Sequence, residues 1–342
     1  MKAIGLYRYL PIEDEHSLVD VYVDRPQTSS RDLLVAVQAI SVNPVDTKVR
    51  APKPGDTSRE EKARILGWDA AGEVLAVGAE VEHYAVGDRV YYAGDITRPG
   101  SYCQMQPVDE RIVGRMPKSL DYQQAAALPL TGLTAWEALF DRLEISPRGD
   151  DAGKSILIIG GAGGVGSIAV QLASKLAGLK VIASASRTRS GIWVKRMGAR
   201  HLVNHRNDLH RELRDLYIES VDYILCLNDT DQHWRAMASA IAPQGKICSI
   251  VDNKEPLQLN LLKSKSATFS WEFMFTRAMY QTPDMIRQQE ILNEISRLID
   301  RGKLTTTVNQ VMEPINAANL REAHRLVEGG RTIGKIVLSG WE

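Results

Sequence analysis

Short apolar stretches broken by Gly, Pro and Asp fill the first 120 residues, and this pattern predicts strands rather than helices. Leu33–Ile40 reads as one strand that stops near Asn43-Pro44, and Gly72–Gly78 and Asp88–Gly94 read as two more, with Gly87-Asp88 as a turn between them. The pattern predicts an irregular β-rich domain. After Leu120 the period changes. Tyr122–Leu128 and Thr131–Leu143 have helical spacing, interrupted at Pro129. Apolar runs at Ser155–Ile159, Lys180–Ala183, His201–Val203, Tyr223–Cys226 and Lys246–Ile250 then alternate with helical stretches at Val165–Leu176, Ile192–Met197, Leu209–Leu216 and Trp234–Ile241. Strands alternating with helices require parallel crossovers, so this part is expected to be a doubly wound α/β sheet. The chain closes with helices at Pro283–Ile299 and Ile315–Val327 and a strand at Gly334–Leu338.

Composition changes little in this picture. The chain has 342 residues, enough for two domains, with 44% hydrophobic and 25% charged residues, as in ordinary globular proteins. Three scattered cysteines, Cys103, Cys226 and Cys248, form neither a disulfide framework nor a CxxC metal pair. No segment approaches the roughly 20 apolar residues of a membrane span, and the first residues do not read as a signal peptide. A cytoplasmic protein is expected. Charge is more informative than its sum. Lys plus Arg and Asp plus Glu both total 42, which argues against a general polyanion binder. Yet residues 152–207 contain no Asp or Glu and nine Lys or Arg, which points to one small phosphorylated ligand.

That window holds Gly160-Gly161-Ala162-Gly163-Gly164-Val165-Gly166, a GxGxxG between an apolar strand and an amphipathic helix. This context gives the motif its meaning: Gly161 for the tight turn, Gly163 for close approach to a pyrophosphate, Gly166 for helix–strand packing. The amides of Gly164, Val165 and Gly166 would face the phosphates from the helix start. An NAD site usually places a carboxylate at the end of the next strand, to accept from the ribose 2′-hydroxyl. Here that strand ends Ser184-Ala185-Ser186 and continues Arg187-Thr188-Arg189. The Ser186 hydroxyl and the guanidinium groups of Arg187 and Arg189 suit a 2′-phosphate, with Ser184 a further cofactor-binding candidate, so NADPH is the expected cofactor. His201, His205 and His210 lack a spacing that would bring them together on one helical face, and a metal role is not expected of them.

The chain resembles the medium-chain dehydrogenase/reductase superfamily, in its zinc-independent quinone oxidoreductase branch. The resemblance rests on Ser41–Asp46, Leu66–Gly72, Gly87-Asp88-Arg89-Val90, Ala126–Thr131, Gly163–Gly166 and Gly334–Leu338. It implies a GroES-like catalytic domain from residues 1–123 and 275–342, a Rossmann domain from 124–274, and an active cleft between them. It also implies a homodimer or homotetramer, in which a strand near Ser266–Ser270 pairs across subunits. Where zinc members carry a cysteine, this chain runs Asn43-Pro44-Val45-Asp46; where they carry Gly-His-Glu, it runs Gly67-Trp68-Asp69. The four-cysteine structural lobe is missing as well. Neither catalytic nor structural zinc is therefore expected.

The activity implied is hydride transfer from NADPH to a quinone or an α,β-unsaturated carbonyl. Asn43 matches a family position near the nicotinamide ribose and the reacting centre, though Asn-Pro also favours a plain turn. Thr131 matches a contact on the nicotinamide side, and Lys335 a basic position facing the cofactor phosphates. Trp68, Tyr92, Trp271 and Phe275 are candidates for the substrate pocket, while the aromatic run Trp271, Phe273, Phe275 equally suits a subunit interface. The tyrosine many members carry after Asn-Pro is absent from Asp46–Arg50. Tyr92 and Tyr102 could replace it as proton donor, and no acid is assigned. A zinc-free carbonyl or alcohol oxidoreductase, and a non-catalytic NADPH-binding sensor or RNA-binding relative, are the alternatives.

Overall fold

The computed structural model describes residues 1–55 and 58–342. The chain divides into two compact units: the first comprises residues 1–130 and 275–342, the second residues 131–274. The break falls after Leu130, against the 123/124 boundary expected from sequence.

The first unit is mainly antiparallel sheet. Its strands are β1 (Lys2–Leu6), β2 (Val19–Tyr22), β3 (Asp32–Val42), β4 (Arg64–Ile65), β5 (Ala70–Val77), β6 (Arg89–Tyr92), β7 (Met105–Asp109) and β8 (Val113–Arg115). The second unit contributes β9 (Ser155–Ile159), β10 (Lys180–Ser184), β11 (His201–Val203), β12 (Val221–Cys226), β13 (Ile241–Ser249) and β14 (Thr268–Trp271). The first unit then resumes with β15 (Val308–Met312) and β16 (Lys335–Ser339).

β3 organises the first unit. One edge is covered by β5; the other is shared by β7, at residues 32–36, and β16, at residues 39–42. A strand paired on both edges and largely buried needs mostly apolar side chains, hence the run LLVAVQAISV, in which only Gln38 is exposed. β3 ends at Val42, but the chain does not simply turn at Asn43-Pro44. It starts the helix Pro44–Arg50, because proline at the first helical position loses no intrahelical bond. Pro129 acts the same way. It opens the helix Pro129–Trp136 instead of merely interrupting one.

In the second unit the strand order is β11-β10-β9-β12-β13-β14, all pairs parallel, which is the doubly wound arrangement expected. Ile159, Ile182, Ile224 and Ile247 from the strands and Leu209, Leu213, Trp234 and Met237 from the helices share one core. The fold class is thus α/β, a β-rich unit with a doubly wound parallel-sheet unit. The strand expected near Ser266–Ser270 exists as β14, the outermost strand of this sheet, paired in parallel with β13. No described helix is long and apolar enough to cross a membrane.

Candidate functional site

β9 leads into the glycine loop, and the helix Gly164–Gln171 follows with Gly163 as its N-cap. No side chain caps that start, so the amides of Gly164, Val165 and Gly166 keep the outward direction of a helix N-terminus. The division of labour among the glycines differs from the expected one in a single place. Gly160, not Gly161, takes the left-handed conformation, with φ +87°. At Gly161 a Cβ would stand 2.9 Å from the Cβ of Ala183, so this glycine serves packing against β10. At Gly166 a Cβ would lie 2.4 Å from the Gly160 carbonyl oxygen, which explains the close helix–loop approach. At Gly163 the nearest protein atom is 3.7 Å away. Nothing in the packing of the protein demands glycine there.

At the end of β10 lies an open depression of about 510 Å³, lined by Ala185, Ser186, Arg187, Thr188, Gly191, Ile192, Lys195, Leu202 and Asn204. Thr188, Gly191, Ile192 and Lys195 follow i, i+3, i+4, i+7 spacing along the helix Thr188–Met197 and so share one face. Ile192 is 67% exposed on this face, an apolar surface suited to an adenine ring, while the rim is cationic and has no carboxylate. Cradle and depression together fit a phosphorylated dinucleotide.

Two expected contacts are not part of this depression. Arg189 lies on another face of the helix, one residue on from Thr188, and is not among the lining residues. Ser184 is buried, where its Oγ accepts from the Gly160 amide at 2.8 Å and lies 3.0 Å from His205 Nδ1. It holds the loop. Burial and the charges of Arg206 and Arg187 push His205 below the usual histidine range, which suits a neutral acceptor for the Ser184 hydroxyl. Lys195 was missed in the sequence because only the helical period reveals that it shares a face with Thr188.

In the first unit, Asn43, Asp69 and Lys335 form a buried cluster. Lys335 Nζ donates to Asp69 Oδ2 at 3.0 Å, to the Val42 carbonyl at 3.1 Å and to Asn43 Oδ1. Asn43 Nδ2 donates to Asp69 Oδ2 at 2.9 Å, and the Leu130 amide donates to Asp69 Oδ1 at 2.8 Å. Lys335 is 3% exposed and its three N–H groups have three protein acceptors, so it is turned inward, not toward cofactor phosphates as expected.

A second chain of bonds adjoins the first. Asp46 Oδ2 accepts from the Asn43 backbone N–H at 2.9 Å and from the Tyr102 hydroxyl at 2.7 Å, and Tyr102 Oη lies 3.1 Å from His324 Nε2. Asp46 Oδ1 and His324 Nδ1 are buried without a partner among the described residues. Burial raises Asp46 to about 7 despite those donors and the nearby Lys335. Burial also raises Asp69, whose direct contact with the ammonium opposes the shift. His324 is pushed down to about 3 by burial and by Arg50, so it is neutral. Sequence reading placed no role on Asp46, Asp69 or His324, because their contacts span up to 266 positions in the chain.

Asp46 has a consequence for stability. Its folded value lies above the unfolded one, so the folded state holds the proton more tightly between the two. Stability should be highest below about pH 4 for this group and fall as pH rises toward 7, by roughly 2–4 kcal/mol. Urea unfolding of Asp46→Asn should show a flatter profile between pH 4 and 8; an unchanged slope would assign the pH dependence elsewhere.

The positions that bind zinc in related enzymes do not fit a metal here. Trp68 offers an indole N–H, donated to the Asp95 carbonyl at 3.3 Å, and no lone pair. Asn43 Oδ1 and Asp69 Oδ2 already accept from the Lys335 ammonium, and Asp69 Oδ1 from the Leu130 amide. Among the described residues no group of three or more His, Cys, Asp or Glu is arranged to hold a metal ion.

The remaining candidates divide between the units. Trp68 and Phe275, both buried in the first unit, meet edge to face with centroids 6.0 Å apart. Tyr92 is buried in β6, its hydroxyl without a partner among the described residues. Trp271 sits on β14 in the second unit against Phe269, with ring centroids 5.0 Å apart, and is 43% exposed. Thr131 is buried in the helix Pro129–Trp136.

Comparisons with known proteins match most of the chain. Residues 29–120 match the alcohol dehydrogenase GroES-like domain, and residues 197–338 match the zinc-binding dehydrogenase family. The chain is 43% identical over 340 residues to a zinc-type alcohol dehydrogenase-like protein of Staphylococcus epidermidis, covering 99% of each. A solved structure from Rhizobium etli CFN 42, described as a candidate zinc-dependent alcohol dehydrogenase, superposes with a TM-score of 0.94 at 47% identity, covering 100% of this chain and 98% of that one. The Escherichia coli quinone oxidoreductase solved with NADPH superposes with a TM-score of 0.81 at 25% identity, covering 99% of this chain and 100% of that one. The chain belongs to the medium-chain dehydrogenase/reductase family of oxidoreductases.

Proposed function

We propose that the protein is an NADPH-dependent reductase that delivers hydride to a quinone or an α,β-unsaturated carbonyl without zinc. The observation that carries this reading is the carboxylate-free depression lined by Ser186, Arg187 and Lys195 beside the glycine cradle. A 2′-phosphate suits that rim, and the amides of Gly164, Val165 and Gly166 suit the pyrophosphate. Bound NADPH would supply the hydride. The chain's own part is positioning, with Asn43 and Thr131 on the nicotinamide side and the Trp68–Phe275 pair as an apolar wall for a flat acceptor. The packing of Trp271 on Phe269 of the outermost strand β14 supports its interface reading. The name and ligand of the Escherichia coli relative support both cofactor and acceptor class. A homodimer or homotetramer in the cytoplasm, with no nucleic-acid or membrane partner, completes the proposal.

The alcohol dehydrogenase-like names of other relatives favour a second reading, a zinc-free carbonyl or alcohol oxidoreductase. Anaerobic NADPH oxidation with quinones and short enones, on protein treated with a chelator, separates the two. The proposal expects turnover that survives chelation, with the saturated ketone as the enone product. Allylic alcohol as the product would favour the second reading. Binding of NADPH with no turnover across the panel would leave a sensor.

A further inference from the structure

Lys335 stands at the first position of β16, beside the end of β3, and there three oxygens converge on its ammonium: Val42 O, Asn43 Oδ1 and Asp69 Oδ2. These are the ligand types of an oxygen-lined cation site, filled by a side chain of the protein itself. The surrounding charges are few and each has a place. Asp46 and Arg50 come from the helix Pro44–Arg50, and His324 and Glu328 from the helix Ala317–Glu328. Arg50 pairs with Glu328, which leaves Lys335 to face the two buried carboxylates, Asp69 in contact and Asp46 at longer range.

The ammonium also decides which way the Asn43 amide points. Nδ2 faces Asp69 Oδ2 and, at 3.4 Å, the carbonyls of Ser41 and Trp68, so every nearby group on that side is an acceptor. Oδ1 faces the Lys335 donor. Removing the donor removes the partner that Oδ1 has in this orientation.

We propose that Lys335 is a positioning residue for the reduction, a fixed internal cation that orients the Asn43 amide and the Asp69 carboxylate, and not a contact for the cofactor phosphates. The inference rests on the reading of Asn43 as a residue at the reacting centre. A misplaced positioning group can cost about a hundredfold in turnover. Lys335→Met should therefore lower kcat by roughly a hundredfold while the Kd for NADPH stays within about threefold of wild type. A phosphate contact would do the reverse, raising Kd tenfold or more with kcat retained, and that result would overturn the inference.

Because a lone buried carboxylate can prevent folding, Asp69→Asn/Lys335→Met removes both charges together. It should fold and still lose kcat, since Asn43 lacks its donor; wild-type kcat in the double variant would refute the role. One readout needs no turnover. In Lys335→Met the carboxyl of Asp46, followed by carbon NMR, should titrate at higher pH because a nearby positive charge is gone. An unmoved titration would count against the internal cation. Absence of turnover by the wild type on every acceptor would sink the proposed function alone, and NADPH affinity with the Asp46 titration would still decide this inference.

Discussion

Gly163→Ala should leave the second unit folded and weaken NADPH binding tenfold or more, whereas Gly166→Ala should damage fold and binding together. Backbone geometry at Gly163, φ −71° and ψ −179°, is open to alanine, and the added Cβ meets no protein atom within 3.4 Å. The cost to folding is that of a poorer N-cap, about 1 kcal/mol. The methyl group would instead occupy the cradle where a phosphate must approach the helix start, and a lost charge-assisted contact costs about 1.5–3 kcal/mol. At Gly166 the same methyl would lie 2.4–2.7 Å from backbone atoms of Gly160 and Gly161, which have no flexible end to swing aside. The loop must shift, at a typical overpacking cost of about 1–3 kcal/mol. Thermal melts combined with fluorescence titration of NADPH separate the two effects. Undiminished NADPH binding by a folded Gly163→Ala protein would show that the cradle is not a phosphate site.

Charge reversal at Lys195 should be more damaging still to NADPH, and almost silent for NADH. Lys195 faces the depression from the same helical face as Thr188 and Ile192. Under the proposed NADPH assignment, Lys195→Glu would replace a cation of the rim, whose ammonium donates to the Arg200 carbonyl, with a carboxylate that repels a phosphate. Loss of one charged hydrogen bond corresponds to roughly ten- to hundredfold in affinity, and repulsion adds to it. NADH, with no 2′-phosphate, should change by less than about threefold. Arg189→Ala is the matched control. Its side chain is outside the lining, so NADPH affinity should stay within about threefold. The opposite ranking, a large effect at Arg189 and none at Lys195, would restore the simple reading of the Arg187-Thr188-Arg189 run.

These contrasts show which information the sequence carries. Alternating apolar runs mark β9, β10 and β12 within a residue or two, because strands of a parallel sheet must be apolar on both faces. The glycine loop was equally legible, since its spacing encodes backbone contacts made within a single turn of chain. The role of Gly160 was not, because the consecutive glycines 160 and 161 look alike until φ is known. Short strands such as β1 and β2 escaped notice, their pairing set by distant partners. The inner cluster was the least visible part. Asn43 and Lys335 are 292 positions apart, and a buried lysine cannot be told from an exposed one by composition. A family position suggested phosphate for Lys335; its three internal acceptors indicate otherwise.

Parallel calorimetric titrations of the metal-stripped protein with NADPH and NADH test the account most directly. Arg187 and Lys195 at a rim without carboxylates predict an affinity for NADPH at least tenfold higher, with the difference shrinking as salt is raised. Equal affinities, or a preference for NADH, would contradict the assignment of that depression to a 2′-phosphate and with it the proposed cofactor.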